Sequence, residues 1–151
     1  MEKIASFTVN HNTLQRGIYT SRIDGDITTY DIRMKLPNGG NYLETPAMHT
    51  IEHLFATFVR NSSVKDEIIY FGPMGCRTGF YFLVRNVSPE KVISLVQEAL
   101  KFISKYEDEI PGVSKIECGN YLEHDLDGAK KECAEMLSVV KDYSVDMLVY
   151  A

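Results

Sequence analysis

The 151-residue sequence predicts a single α/β domain in which strands and helices interleave. Three observations predict it. Apolar and polar residues alternate with a period of two in the first third of the chain, the mark of a half-buried strand, whereas apolar residues recur at helical spacing further on. No repeat, low-complexity segment or composition break divides the chain, so residues 1–151 read as one domain of ordinary length. A chain of this size removes roughly 68–70% of its unfolded surface from water on folding, so its core needs no disulfide or structural metal.

The first expected strand is Ile27 to Leu36, where Tyr30, Ile32, Met34 and Leu36 alternate with Asp31, Arg33 and Lys35. Asn38-Gly39-Gly40 ends it as a turn. Thr45-Pro46 reads as an N-cap followed by proline at the first helical position, opening a helix from Pro46 to about Arg60 that Leu54, Phe55 and Phe58 help to bury. Glu67 to Phe71 and Gly79 to Val87 are rich in Ile, Tyr, Phe and Val and read as strands, with residues 72–78 as an irregular connection. Ser88-Pro89-Glu90 starts a second helix, reaching about Tyr106, with Val92, Ile93, Val96, Leu100 and Ile103 on its apolar face. Ile110-Pro111-Gly112 is a break, Ile116 to Tyr121 a short extended piece, and Leu126 to Val140 a third helix that presents Ala129, Cys133, Met136 and Leu137 to the core.

Sixteen Lys+Arg against 21 Asp+Glu give a net charge of −5. That balance lacks the basic surface used for nucleic acid or anionic membranes, so neither is expected as a partner. A hydrophobic fraction of 44% with 25% charged residues excludes disorder and fibrous classes. Three cysteines, Cys76, Cys118 and Cys133, are an odd number spread thinly, which suits a reducing compartment. No stretch approaches the ~18–20 apolar residues of a membrane span, and the first residues carry no apolar leader core, so a cytoplasmic protein is expected.

The strongest local signal is His49-Thr50-Ile51-Glu52-His53 inside the Pro46 helix. Residues four apart share a helix face, so both imidazoles can reach one cation, with Glu52 close enough to act on a metal-bound group. This H-x-x-E-H order is the inverzincin arrangement. A catalytic site of this kind needs a third protein ligand, for which Cys118, Cys133, His124, His11 and several carboxylates are candidates. Spacing does not choose among them, although Cys118 precedes a glycine in a loop whereas Cys133 lies on the apolar side of a helix. Cys76 stands beside Arg77 in the Gly-rich connection, a setting that favours thiolate and hence a nucleophile or proton carrier. His11 and Arg33 read locally as a surface histidine and a surface ion-pair arginine.

Together these segments resemble the S-ribosylhomocysteine lyase (LuxS) family over most of the chain. The resemblance rests on Ser6 to His11, Gly25 to Arg33, His49 to Ala56, Pro73 to Tyr81, and Cys118 to Tyr121 followed by Glu123-His124, in that order. It implies an α+β single domain, with an antiparallel sheet packed against helices and an inverzincin-type metal helix. It implies a carbon–sulfur lyase that cleaves the thioether of S-ribosylhomocysteine to homocysteine and 4,5-dihydroxy-2,3-pentanedione, the autoinducer-2 precursor, by metal-assisted carbonyl migration and beta-elimination. The family's metal ligands fall on His49, His53 and Cys118, its acid–base pair on Glu52 and Cys76, and its ribose contacts on Ser6, His11 and Arg33. One divalent ion per subunit is implied, Fe(II) in the cell and replaceable by zinc or cobalt, in a homodimer with both active sites at the interface. Tyr70 stands where many members carry an acidic residue six positions before the loop cysteine, and Thr29 where a lysine or other residue precedes the strand arginine by four. A small inverzincin-like metallohydrolase is the alternative, and it leaves Cys76 without a task.

Overall fold

A computed structural model describes all 151 residues. Its elements run β1 (Gly17–Asp24), β2 (Ile27–Arg33), α1 (Thr45–Val59), β3 (Ile68–Pro73), β4 (Gly79–Arg85), α2 (Pro89–Ser104) and α3 (Leu126–Val140), with short 3-10 turns at Ala5–Phe7, Lys65–Glu67 and Val145–Leu148. The four strands form one antiparallel sheet in the order β1-β2-β4-β3. The three helices pack on one another, and α1 and α3 pack against the sheet at β3 and β1, which is the α+β arrangement.

The period of two explains the sheet's inner face. Tyr30 and Ile32 of β2 pair with Phe82 and Phe80 of β4, and all four are buried. Phe55 of α1 stacks on Phe71 of β3 with ring centroids 3.9 Å apart, and Phe71 stacks in turn on Phe80 at 4.8 Å. Each such ring contributes roughly 1.5–3 kcal/mol by leaving water, so this cluster fixes α1 against the sheet. Gly79 is required at the β2–β4 crossing, because a Cβ there would sit 2.2 Å from the Ile32 carbonyl oxygen.

The capping chemistry is as local sequence dictates for two helices. Ser88 Oγ accepts from Lys91 N–H with Pro89 in the first helical turn, and Asp125 Oδ1 accepts from Gly128 N–H at the start of α3. For α1 the expectation is corrected. Glu44 is the N-cap, with no side-chain cap bond, and Thr45 already lies in the helix.

Three further expectations are corrected. The strand Gly17–Asp24 precedes the one expected as first; its alternation is broken by a register shift between Thr20 and Arg22, and its outer half is exposed. The segment Ile116 to Tyr121 is a series of turns, in which Cys118 N–H donates to the Ser114 carbonyl. The polar side of β2 is not a solvated face: Asp31, Arg33 and Lys35 are 1%, 3% and 5% exposed. The C-terminal segment covers part of that side, with Tyr143 hydrogen-bonded to both main-chain groups of Ile18 and Tyr150 stacked on Tyr19 at 4.9 Å.

Candidate active site

Helix α1 carries Ala47, Ile51, Leu54 and Phe55 into the core, which leaves His49, Glu52 and His53 half-buried along its flank. The turns that follow α2 bring Cys118 back against that flank. Its Sγ lies 3.4 Å from His49 Nε2 and 3.9 Å from His53 Nε2.

The carbonyl partners settle which ring nitrogens are free. His49 Nδ1 lies 2.7 Å from the Glu123 carbonyl oxygen and His53 Nδ1 lies 2.8 Å from that of Pro111. A carbonyl only accepts, so both rings carry hydrogen on Nδ1 and turn an Nε2 lone pair toward the Cys118 sulfur. Gly112 belongs to the same support. Its φ is +70°, and a Cβ there would lie 3.3 Å from His53 Nδ1.

The donor set fits a divalent ion of the transition series. Two imidazoles and a thiolate are the ligand chemistry of zinc or iron, and a tetrahedral ion with bonds of about 2.3 Å to sulfur and about 2.0–2.1 Å to nitrogen would hold these atoms about 3.5 Å apart. The observed 3.4 and 3.9 Å bracket that value. His124 completes the cluster: one donor atom from each of His49, His53, Cys118 and His124 lies within 4.8 Å of the others. Its ring stacks on His49 at 4.0 Å, its Nδ1 is 2.9 Å from Thr50 Oγ1, and its Nε2 is buried without a hydrogen-bond partner. Burial, with His49 and His53 alongside, lowers His124 to about 4, so the ring is neutral near pH 7. Thr50 also accepts from Asp125 N–H, which ties the start of α3 to the middle of α1.

A second group of functional residues gathers elsewhere. Ser6, His11, Arg33, Cys76, Thr78 and Tyr81 line one cavity of about 480 Å³ together with Phe7 and Tyr42. None of the four cluster residues lines it. Cys76 is exposed on the loop between β3 and β4, where Arg77 adopts a φ of +60° that turns the chain. Arg33 is not the surface residue that its local context suggests. It holds Asp31 through two hydrogen bonds, from Nε at 3.1 Å and Nη2 at 2.7 Å, and donates from Nη1 to Thr78 Oγ1 at 2.8 Å. Burial opposes the Arg33 charge, but the Asp31 carboxylate outweighs it and holds the guanidinium above its ordinary range.

The structure therefore brings His49, His53 and Cys118 together, with Glu52 on the same helix, and gathers Ser6, His11, Arg33 and Cys76 around a separate cavity. Cys133 is fully buried in α3, and burial pushes its thiol far up, so it stands as core. Thr78 and Tyr150 were not singled out by the sequence. Thr78 carries a weak signal, two residues after Cys76 at the head of a strand; Tyr150 carries none.

A sequence model of the S-ribosylhomocysteinase (LuxS) family matches residues 4–146. The S-ribosylhomocysteine lyase of Clostridium acetobutylicum is 47% identical over 156 residues, covering 99% of both chains. That of Phocaeicola vulgatus is 47% identical over 99% of this chain and 98% of the relative, and that of Porphyromonas gingivalis 48% identical over 97% and 96%.

Proposed function

The chain belongs to the S-ribosylhomocysteine lyase (LuxS) family, and from that premise we propose that it cleaves the thioether of S-ribosylhomocysteine to homocysteine and 4,5-dihydroxy-2,3-pentanedione. The observation that carries the reading is the pair of imidazoles with free Nε2 lone pairs facing a cysteine sulfur, together with a separate cavity that holds a second, exposed cysteine. A peptidase-like hydrolase would use the first and have no use for the second.

His49, His53 and Cys118 would hold the ion, taken to be Fe(II) in the cell and exchangeable for zinc or cobalt. When bound, a divalent ion supplies Lewis-acid polarisation of a sugar carbonyl. The chain's own residues supply the rest. Arg33, His11 and Ser6 orient the ribose hydroxyls in the cavity. Cys76, as thiolate, removes the proton from the carbon beside the carbonyl and returns it to the neighbouring carbon, which moves the carbonyl along the sugar without redox change. Once the carbonyl lies beta to sulfur, loss of a further C–H proton breaks the C–S bond, and the homocysteine sulfur leaves with the electron pair and takes up a proton. Glu52 shares the proton transfers and serves this elimination.

The separation of the two groups of residues supports a homodimer. The cluster residues do not line the Cys76 cavity, so a complete site is best built from the metal centre of one protomer and the cavity of its partner. Large apolar side chains are exposed beside both: Phe7 at the cavity, and Ile116 and Leu122 flanking Cys118. A cytoplasmic location suits two working thiols. Release of free thiol from S-ribosylhomocysteine by the Fe(II)-loaded protein, set against the metal-free protein, tests the reading; equal rates would refute it.

A further inference from the structure

We propose that Thr78 is a positioning residue for Cys76, and that Asp31 and Tyr150 hold it in that role through Arg33. The proposal rests on the reading of Cys76 as the proton carrier and adds the structure that prepares it.

The direction of the hydrogen bonds makes the case. Thr78 Oγ1 is 3.0 Å from Cys76 Sγ and 2.8 Å from Arg33 Nη1. A guanidinium only donates, so Arg33 takes up a lone pair of the hydroxyl and cannot receive its hydrogen. The hydroxyl hydrogen is thus free to be given to the Cys76 sulfur whenever that sulfur is a thiolate, which can only accept. A separation of 3.0 Å is short for a contact to an atom as large as sulfur and marks a hydrogen bond between the two side chains. Thr78 has little freedom to do otherwise: its side chain is buried, and its carbonyl accepts from both Met34 and Lys35 N–H.

Behind Arg33 the network is closed. Asp31 takes its two hydrogen bonds from Arg33 and a third from the Tyr150 hydroxyl, at 2.7 Å to Oδ2. Burial and the Asp31 charge push the Tyr150 phenol up, so it remains an O–H donor at any working pH. Tyr19 stacks on the Tyr150 ring. Tyr150 is thus joined to the reactive sulfur through Asp31, Arg33 and Thr78 by an unbroken run of hydrogen bonds whose Arg33 links are buried.

The test compares Thr78→Val, Thr78→Ser and Tyr150→Phe in the metal-loaded, full-length protein. Alkylation of Cys76 by iodoacetamide near neutral pH is followed by peptide mass, and kcat and KM are measured with S-ribosylhomocysteine. Loss of a hydrogen bond to a charged partner predicts that Thr78→Val slows both alkylation and kcat about tenfold with KM nearly unchanged. Thr78→Ser should restore both, and Tyr150→Phe should show a smaller loss in the same two quantities. Wild-type alkylation rates in Thr78→Val and Tyr150→Phe would overturn the proposal, as would failure of Thr78→Ser to rescue. Should Thr78→Val not fold, Tyr150→Phe decides alone. The lyase reading fails separately, by absence of turnover in the unaltered protein, while the alkylation comparison still reports on Thr78.

Discussion

Cys118 Sγ lies 3.4 Å from His49 Nε2, although the two residues are 69 positions apart in the chain. Helix α1 supplies one side of that contact and a run of irregular turns the other, so the thiol is placed by tertiary structure alone. Cys118→Ala is therefore expected to lose the bound metal, as read by metal analysis after gel filtration. Cys133→Ala is expected to keep it and lose about 1 kcal/mol of stability, the ordinary cost of a core substitution.

Glu52 and Cys76 make no hydrogen bond to any member of the metal cluster, so their roles separate from metal binding. Glu52→Gln and Cys76→Ala should retain a full complement of metal and lose turnover by about 10²–10⁴-fold, the scale of acid–base catalysis. Metal analysis and thiol release on the same samples check both halves of the statement.

Lys35 is buried, and its Nζ is 2.7 Å from Glu132 Oε2 and 4.0 Å from Glu135 Oε2. The pair ties the end of the β2 segment to α3. Glu132→Ala strands a buried ammonium and should cost about 3 kcal/mol in urea denaturation, whereas joint replacement by Lys35→Met and Glu132→Leu should recover most of it.

Tyr143 closes the edge of the sheet. Its hydroxyl accepts from Ile18 N–H at 3.0 Å and donates to the Ile18 carbonyl at 2.7 Å, and burial pushes the phenol up to about 12 from 10.0. The folded state thus holds its proton more tightly than the unfolded chain. The associated stability is fully present below pH 10 and is lost as pH rises from 10 to about 12. Tyr143→Phe should lose about 1–3 kcal/mol at neutral pH, because Ile18 keeps unpaired main-chain groups, and should show a flatter alkaline decline in denaturation midpoints.

Elements with strong local chemistry were legible in the sequence. The Ser88-Pro89 start of α2, the period of two in β2 and the helical spacing in α3 each depend on residues close in the chain. Strand β1 escaped because its outer residues are solvent-exposed and its register shifts after Thr20. In the site, His49 and His53 were legible as a pair because one helix face brings them together. The third donor was not, since Cys118 sits in turns that no periodicity marks, and only resemblance to a family selected it. Arg33 misled for the opposite reason. Its partner Asp31 lies two residues away on the same strand face, a pattern that reads as solvated polarity until the C-terminal segment and Thr78 cover it.

The central claim is that one working site combines the metal centre of one protomer with the Cys76 cavity of its partner. Co-expression of Cys118→Ala with Cys76→Ala tests it most directly, with thiol release from S-ribosylhomocysteine as the readout. Each variant alone should be inactive. Random pairing in a two-fold dimer gives half mixed dimers with one intact site in two, so the co-expressed protein should recover about one quarter of the unaltered rate. Activity that stays at the background of the single variants, while the unaltered protein turns over, would contradict the account.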